Sequence, residues 1–234
     1  AAASYLMNEA TTRALAAGFD WQQHKGKTVS LLLNKHPYTD AMIADLDGVV
    51  SSPREVKAVR TSVGIVDAST LGKIDIQGPD AAWFLNMVYT NAWSKLEPGK
   101  CRYGFMLGED GMVMDDGVTS RIAENHFHMT TTTGGAARVM AWLEDWLQCE
   151  WLDKKVYLTS VTEQWAVIGI SGPLARKLMG EVAPQLPLDD TSFPHLSFKD
   201  GVVAGVDCRI YRIPFTGEAT DEINAAPSEA MQVR

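Results

Sequence analysis

Two adjacent carboxylates, Asp115-Asp116, lie just beyond an Asp110-Gly111 pair in the stretch Gly-Glu-Asp-Gly-Met-Val-Met-Asp-Asp-Gly-Val-Thr-Ser, Gly108 to Ser120. Asp-Gly between two apolar runs is a strong hairpin signal, because a type I′ turn needs positive φ at both central residues. Arg102 to Leu107 and Met112 to Ser120 are therefore expected to pair as antiparallel strands. Side chains alternate along a strand, which puts Met112, Met114, Asp116, Val118 and Ser120 on one face and Val113, Asp115, Gly117 and Thr119 on the other. Asp116 then shares a face with three apolar residues. A carboxyl there has its pKa raised or must be paired, as suits a proton acceptor. Asp115 is free to be a solvated or a structural acid, and on pattern alone both residues also fit solvated loop acids.

The elements that must position this pair are readable on either side of it. Arg54 to Ser62 reads as a short helix opening near Pro53, and Gly72 to Gln77 as a strand that runs into Gly78-Pro79-Asp80 and a helix to about Tyr89. Asn125 to Thr132 reads as a strand, and Gly134 to Gln148 as an amphipathic helix. Trp165 to Ile170, Ser171-Gly172-Pro173 and Leu174 to Val182 then repeat the order strand, Gly-Pro, helix. Two such units imply a duplicated α+β architecture, each half an antiparallel sheet with covering helices on one side. Phe193 to Phe198, Val202 to Val206 and Cys208 to Pro214 read as further strands, with Asp200-Gly201 as a hairpin turn. Ahead of all this, Tyr5 to Ala17 reads as a helix ended by Gly18. Residues 1–53 form a region apart from the ordered unit 54–234.

Bulk properties narrow the function classes. A formal net charge of -8 over 234 residues argues against nucleic acid and against an anionic membrane surface. No run approaches the length a membrane helix needs, and no basic-then-apolar leader opens the chain. Cys101, Cys149 and Cys208 have no paired spacing, which suggests a reducing, cytoplasmic setting without disulfides or a zinc site. His126 and His128 share a strand face, but with no third ligand nearby they read as structural rather than metal-binding. Trp142, Trp146 and Trp165 read as core or interface residues. Ala1 to Ala3 look like the start of a fragment.

Four motifs read together carry a resemblance. The run from Arg54 to Lys73, the Gly111 to Val118 strand with Asp115-Asp116, the Trp165 to Pro173 strand ending in Gly-Pro, and Phe215 to Ile223 with Thr216-Gly217-Glu218 and Glu222-Ile223 are similar to the folate-dependent aminomethyltransferase family. Finer wording, including Ser69 to Asp75, Arg102-Tyr103-Gly104, Met114 to Gly117, Met129 to Thr133 and Glu163 to Ala166, resembles the alpha subunits of heterotetrameric sarcosine oxidases, a branch of that family. The resemblance implies the aminomethyltransferase folate-binding fold and one-carbon transfer to tetrahydrofolate from the iminium that sarcosine oxidation yields. It also implies partner subunits in a hetero-oligomer and FAD, FMN and NAD in the parent complex.

By the same resemblance Asp116 is the catalytic carboxylate and Glu218 the acceptor for the pterin ring. Tyr103, on the strand opposite Asp116, lines the same pocket or the core. The Thr130 to Thr133 run, Thr131 and Thr132 included, either offers hydroxyls to the ligand or is ordinary strand-favouring threonine. Between Glu218 and Glu222 stand Ala219-Thr220-Asp221, where the family has an apolar, a small and an aromatic residue, and nothing corresponds to its C-terminal barrel. A stand-alone aminomethyltransferase or demethylase, and a non-catalytic folate-binding or assembly module, are the alternatives.

Overall fold

A computed structural model describes residues 52–233. The expected Tyr5 to Ala17 helix lies outside the described residues. Helix α1 (Ser52–Thr61) leads into strand β1 (Gly64–Asp67) and β2 (Gly72–Gln77), then helix α2 (Ala81–Val88). Strands β3 (Cys101–Leu107), β4 (Val113–Ala123) and β5 (His126–Thr131) follow, then helix α3 (Ala136–Asp145) and β6 (Tyr157–Ser160). The second pass runs β7 (Ala166–Ser171), helix α4 (Ala175–Val182), β8 (Phe198–Val203), β9 (Val206–Tyr211), β10 (Thr220–Ala225) and a closing turn of helix, α5 (Ala230–Val233).

The strands form two five-stranded antiparallel sheets, ordered β3-β4-β5-β2-β6 and β1-β7-β10-β9-β8. The duplication expected from the sequence is therefore present: each unit gives a strand, Gly-Pro, a helix and a three-stranded meander. Both glycines have a conformation closed to other residues, φ +124 at Gly78 and φ +131 at Gly172. A Cβ at Gly78 would lie 2.1 Å from the Lys155 carbonyl oxygen, and one at Gly172 2.4 Å from that of Ser62. Each glycine so lets the strand-to-helix turn tuck beneath a neighbouring segment.

Helices cover the outer face of each sheet. In the first sheet Ile74, Ile76, Met106, Phe127 and Met129 pack on Phe84, Leu85, Val139 and Leu143 of α2 and α3. In the second, Ile170, Ile210 and Ile223 pack on Ala175 and Met179 of α4. The inner faces meet across a smaller cluster of Cys101, Tyr211 and Ile213, flanked by Val118 and Phe198. The molecule is thus layered helix, sheet, sheet, helix.

Three local expectations are corrected. At the central hairpin only Gly111 has positive φ, Gly108 N–H bonds to Met112 O (2.9 Å) and Gly111 N–H to Gly108 O (2.9 Å). This is a three-residue loop closed by a glycine in the left-handed region, not a type I′ turn. A bulge where Met106 pairs with Asp115 and Leu107 with Val113 then shifts the alternation, so Met112 and Val113 are exposed. In the last hairpin the reversal falls at Ala204-Gly205, both at positive φ, while Asp200 and Gly201 lie within β8 opposite Arg209 and Cys208. Phe193 to Ser197 is a loop joined to the first sheet by a bridge between Lys100 and Ser197, so β8 starts only at Phe198.

Candidate functional site

Strand β4 separates the two aspartates by face. Asp115 is buried at 5% exposure, and its carboxylate accepts from Thr132 Oγ1 (2.6 Å) and Thr132 N–H (3.2 Å). It therefore holds the turn from β5 into α3, and the structural of its two expected roles is the observed one. Asp116 looks the other way, half-buried on the inner face, opposite Phe105 in the register. Tyr103 Oη donates a short hydrogen bond to Asp116 Oδ2. That bond pushes the Tyr103 phenol up to about 12, because ionising it would remove the donor and place two anions side by side. Tyr103 and Phe105 are exposed and meet edge to face at 5.2 Å between ring centroids, an aromatic rim beside the carboxylate.

Inward from Asp116 the same face continues through Val118 and Ser120, which line a crevice between the sheets. Successive residues of one strand face are about 7 Å apart, so Asp116 lies one step along β4 from Val118 in the crevice wall. The first sheet contributes Lys73, His128 and Thr130 to the walls, and the second Tyr211, Asn224 and Glu222. The interior, about 10 Å³, admits no more than one water. Lys73 is fully buried; its Nζ donates to Ser69 O and Leu71 O (2.9 Å each) and reaches Thr162 O at 3.5 Å. With its donors committed to carbonyls it is a fixed cation rather than a nucleophile.

Glu222 is half-buried by surface yet hemmed in by protein, and desolvation raises its carboxyl to about 7, with Lys73 pulling it down only in part. A carboxyl balanced at neutral pH can accept or donate a hydrogen bond. Sequence reasoning passed over it. The available signal was the alternation of Thr220, Glu222 and Asn224 against Asp221, Ile223 and Ala225, which puts the two acids of β10 on opposite faces. Asp221, on the outer face, lies 3.3 Å from Arg176.

The other expected residues are placed as follows. Glu218 lies two residues before β10 and its Oε1 pairs with Arg60 Nη1 at 3.0 Å, a guanidinium that also holds Thr216 O at 2.8 Å. Thr131 is buried and its hydroxyl donates to Thr132 O, on the face toward α3. The Thr132 hydroxyl is committed to Asp115. Tyr103 and Asp116 are thus brought together, whereas Glu218, Thr131 and Thr132 are engaged elsewhere. His126 and His128 share a face as expected, and both bond Asp75. Among the described residues no group of three or more His, Cys, Asp or Glu is arranged to hold a metal ion, and no helix is long and apolar enough to cross a membrane.

Residues 46–234 match the family described as "GCVT N-terminal domain". Sarcosine oxidase subunit alpha of Corynebacterium sp. (strain U-96) is 51% identical over 181 residues, covering 77% of this chain and 19% of its own length. The solved structure of glycine cleavage system aminomethyltransferase T from Bartonella henselae superposes with a TM-score of 0.65 at 22% identity, over 77% of this chain and 47% of that one. Heterotetrameric sarcosine oxidase from Corynebacterium sp. U-96 superposes at 0.53 and 13% identity, over 82% of this chain and 88% of that one. These structural likenesses show a shared fold. The chain spans about a fifth of the length of the sarcosine oxidase alpha subunits it matches.

Proposed function

The chain belongs to the GCVT N-terminal domain family, and from that premise we propose that it is the one-carbon-transfer domain of a sarcosine oxidase alpha subunit, binding tetrahydrofolate at the mouth of the inter-sheet crevice. Oxidation of sarcosine takes place elsewhere in the assembly, on other subunits and with FAD, FMN and NAD, in the cytoplasm. Tetrahydrofolate, when bound, supplies the nitrogens that capture the methylene group of the iminium.

The residues at the mouth fit such a group. The crevice interior is too narrow for a ring system, so binding falls to the exposed Tyr103–Phe105 rim, which offers aromatic faces. Asp116 takes up a proton at its carboxylate and opposes positive charge beside it. Tyr103 Oη orients that carboxylate by donating to Oδ2. Glu222, from the facing sheet, accepts from ring N–H and amino groups in its ionised form. It takes the part expected of Glu218, because Glu222 lines the crevice while Glu218 is held by Arg60. The narrow interior behind Val118 limits water near the reacting carbon to a single molecule.

The observation that carries this reading is the Tyr103–Asp116 pair at the rim of the crevice that Glu222 lines. Titration with tetrahydrofolate, followed by tryptophan fluorescence, is expected to saturate. Asp116→Ala is expected to retain binding while losing methylene transfer by at least about 100-fold. Wild-type protein that gives no saturable signal rejects the reading.

A further inference from the structure

Beside the crevice, three inner-face side chains on β2 and β5 form a line that the folate reading does not use. Asp75 Oδ1 lies 2.7 Å from His128 Nδ1, and its Oδ2 lies 2.8 Å from His126 Nε2, so one carboxylate bridges two imidazoles. Burial is graded along the line: the side chains are 29% exposed at His126, 18% at Asp75 and 5% at His128. The deep end, His128, lines the crevice with Ser120, Lys73, Tyr211 and Glu222. The shallow end meets solvent at the start of β5.

We propose that His126, Asp75 and His128 form a proton relay between solvent and the crevice, serving the carboxyl of Glu222. The relay stands on this geometry, and its assignment to Glu222 rests on the folate reading above. The crevice that His128 and Glu222 both line has room for one water. A proton accepted at His128 Nε2 is balanced by release of the Nδ1 proton to Asp75 Oδ1. His126, whose Nε2–H bonds the resting carboxylate, turns its part-exposed ring to face Asp75 with the bare Nδ1, takes the proton of the carboxyl there and gives its Nε2 proton to solvent. One proton enters and one leaves, and turning the groups back restores the start.

Burial pushes the Asp75 carboxyl upward, but hydrogen bonds and charge from His128 and His126 outweigh it and hold the group below its usual value. Asp75 is therefore an anion at rest, hydrogen-bonded by an imidazole on each oxygen, and carries a proton only in passing. Its neighbours are fixed: His128 stacks on Tyr211 at 6.4 Å and meets Trp165 edge-on at 6.3 Å. These two aromatic contacts flank the ring whose Nδ1 bonds Asp75.

The test is the exchange of the His128 ring N–H with solvent, measured by NMR on histidine-labelled full-length protein without folate. His126→Gln is expected to slow this exchange about 10-fold or more, and millimolar imidazole to restore it, since a free base can take the place of the exposed ring. Asp75→Asn is expected to slow it without imidazole rescue. Unchanged exchange in His126→Gln overturns the relay, and so does slowing that imidazole fails to reverse. Rescued exchange in a protein that binds no tetrahydrofolate would keep the relay and reject its service to a folate site.

Discussion

Glu222 gives the most exacting test of the crevice as a built site. Its ordinary value is 4.5 and desolvation lifts it to about 7. At about 1.4 kcal/mol per pH unit, ionising it in the folded chain costs about 3 kcal/mol more than in the unfolded chain. Partial exposure screens the charge and trims this to about 2 kcal/mol. The sign follows from which state lets go first. Below pH 4.5 both states hold the proton and the residue is neutral to stability. As pH rises to about 7 the unfolded chain releases the proton and the folded chain does not, so stability falls across that window. Above it the full penalty stands. Glu222→Gln removes the ionisation, and the variant should exceed wild type by about 2 kcal/mol at pH 8, or about 4–8 °C in Tm. Near pH 4 the two should coincide. Urea denaturation at the two pH values reads the difference directly, while tetrahydrofolate binding should weaken in the more stable variant. Equal stability at pH 8, or a gap that persists at pH 4, would refute the reasoning.

Three further outcomes follow from named contacts. Asp115→Ala strands the N–H and hydroxyl of Thr132, and should lower stability by about 2–3 kcal/mol in a thermal melt. Asp116→Ala leaves the fold intact but frees the Tyr103 phenol, whose pKa should drop from about 12 toward 10 in an ultraviolet absorbance titration. Ala204 is held at φ 50 in the last hairpin, so Ala204→Asn, better suited to that backbone, should raise stability by about 0.5–1 kcal/mol in urea.

Most of the framework was legible because it is written in local signals. The two Gly-Pro corners announce themselves, since only glycine fits where a Cβ would lie 2.1 Å and 2.4 Å from a carbonyl oxygen. The pairing of β3 with β4 follows from the Asp-Gly loop, and the separation of Asp115 from Asp116 follows from strand alternation. What escaped depends on distant partners. The strands β1 and β6 have four residues each, too few to show a period, and exist because a neighbouring sheet offers an edge. Asp200-Gly201 looks like a turn in sequence, yet Arg209 Nε bonds Asp200 Oδ1 at 2.8 Å across the ladder and the reversal moves on to Ala204-Gly205. Glu222 was hidden because both faces of β10 are covered and both carry an acid. Which acid meets the crevice is settled by packing against the other sheet, beyond the reach of any local pattern.

The short strands also settle how the molecule is braced. β1 precedes the first strand-helix unit in the chain but pairs with β7 of the second, and β6 precedes the second unit but pairs with β2 of the first. Each half lends its leading strand to its neighbour, like two people with linked arms. Cut between β5 and β6 and each product would lack an edge it needs, so the pair should melt as one body. The same lock sets the spacing of Asp116 and Glu222, which arise from opposite halves. A jaw whose two teeth grow from mutually clasped bones cannot open by separating them.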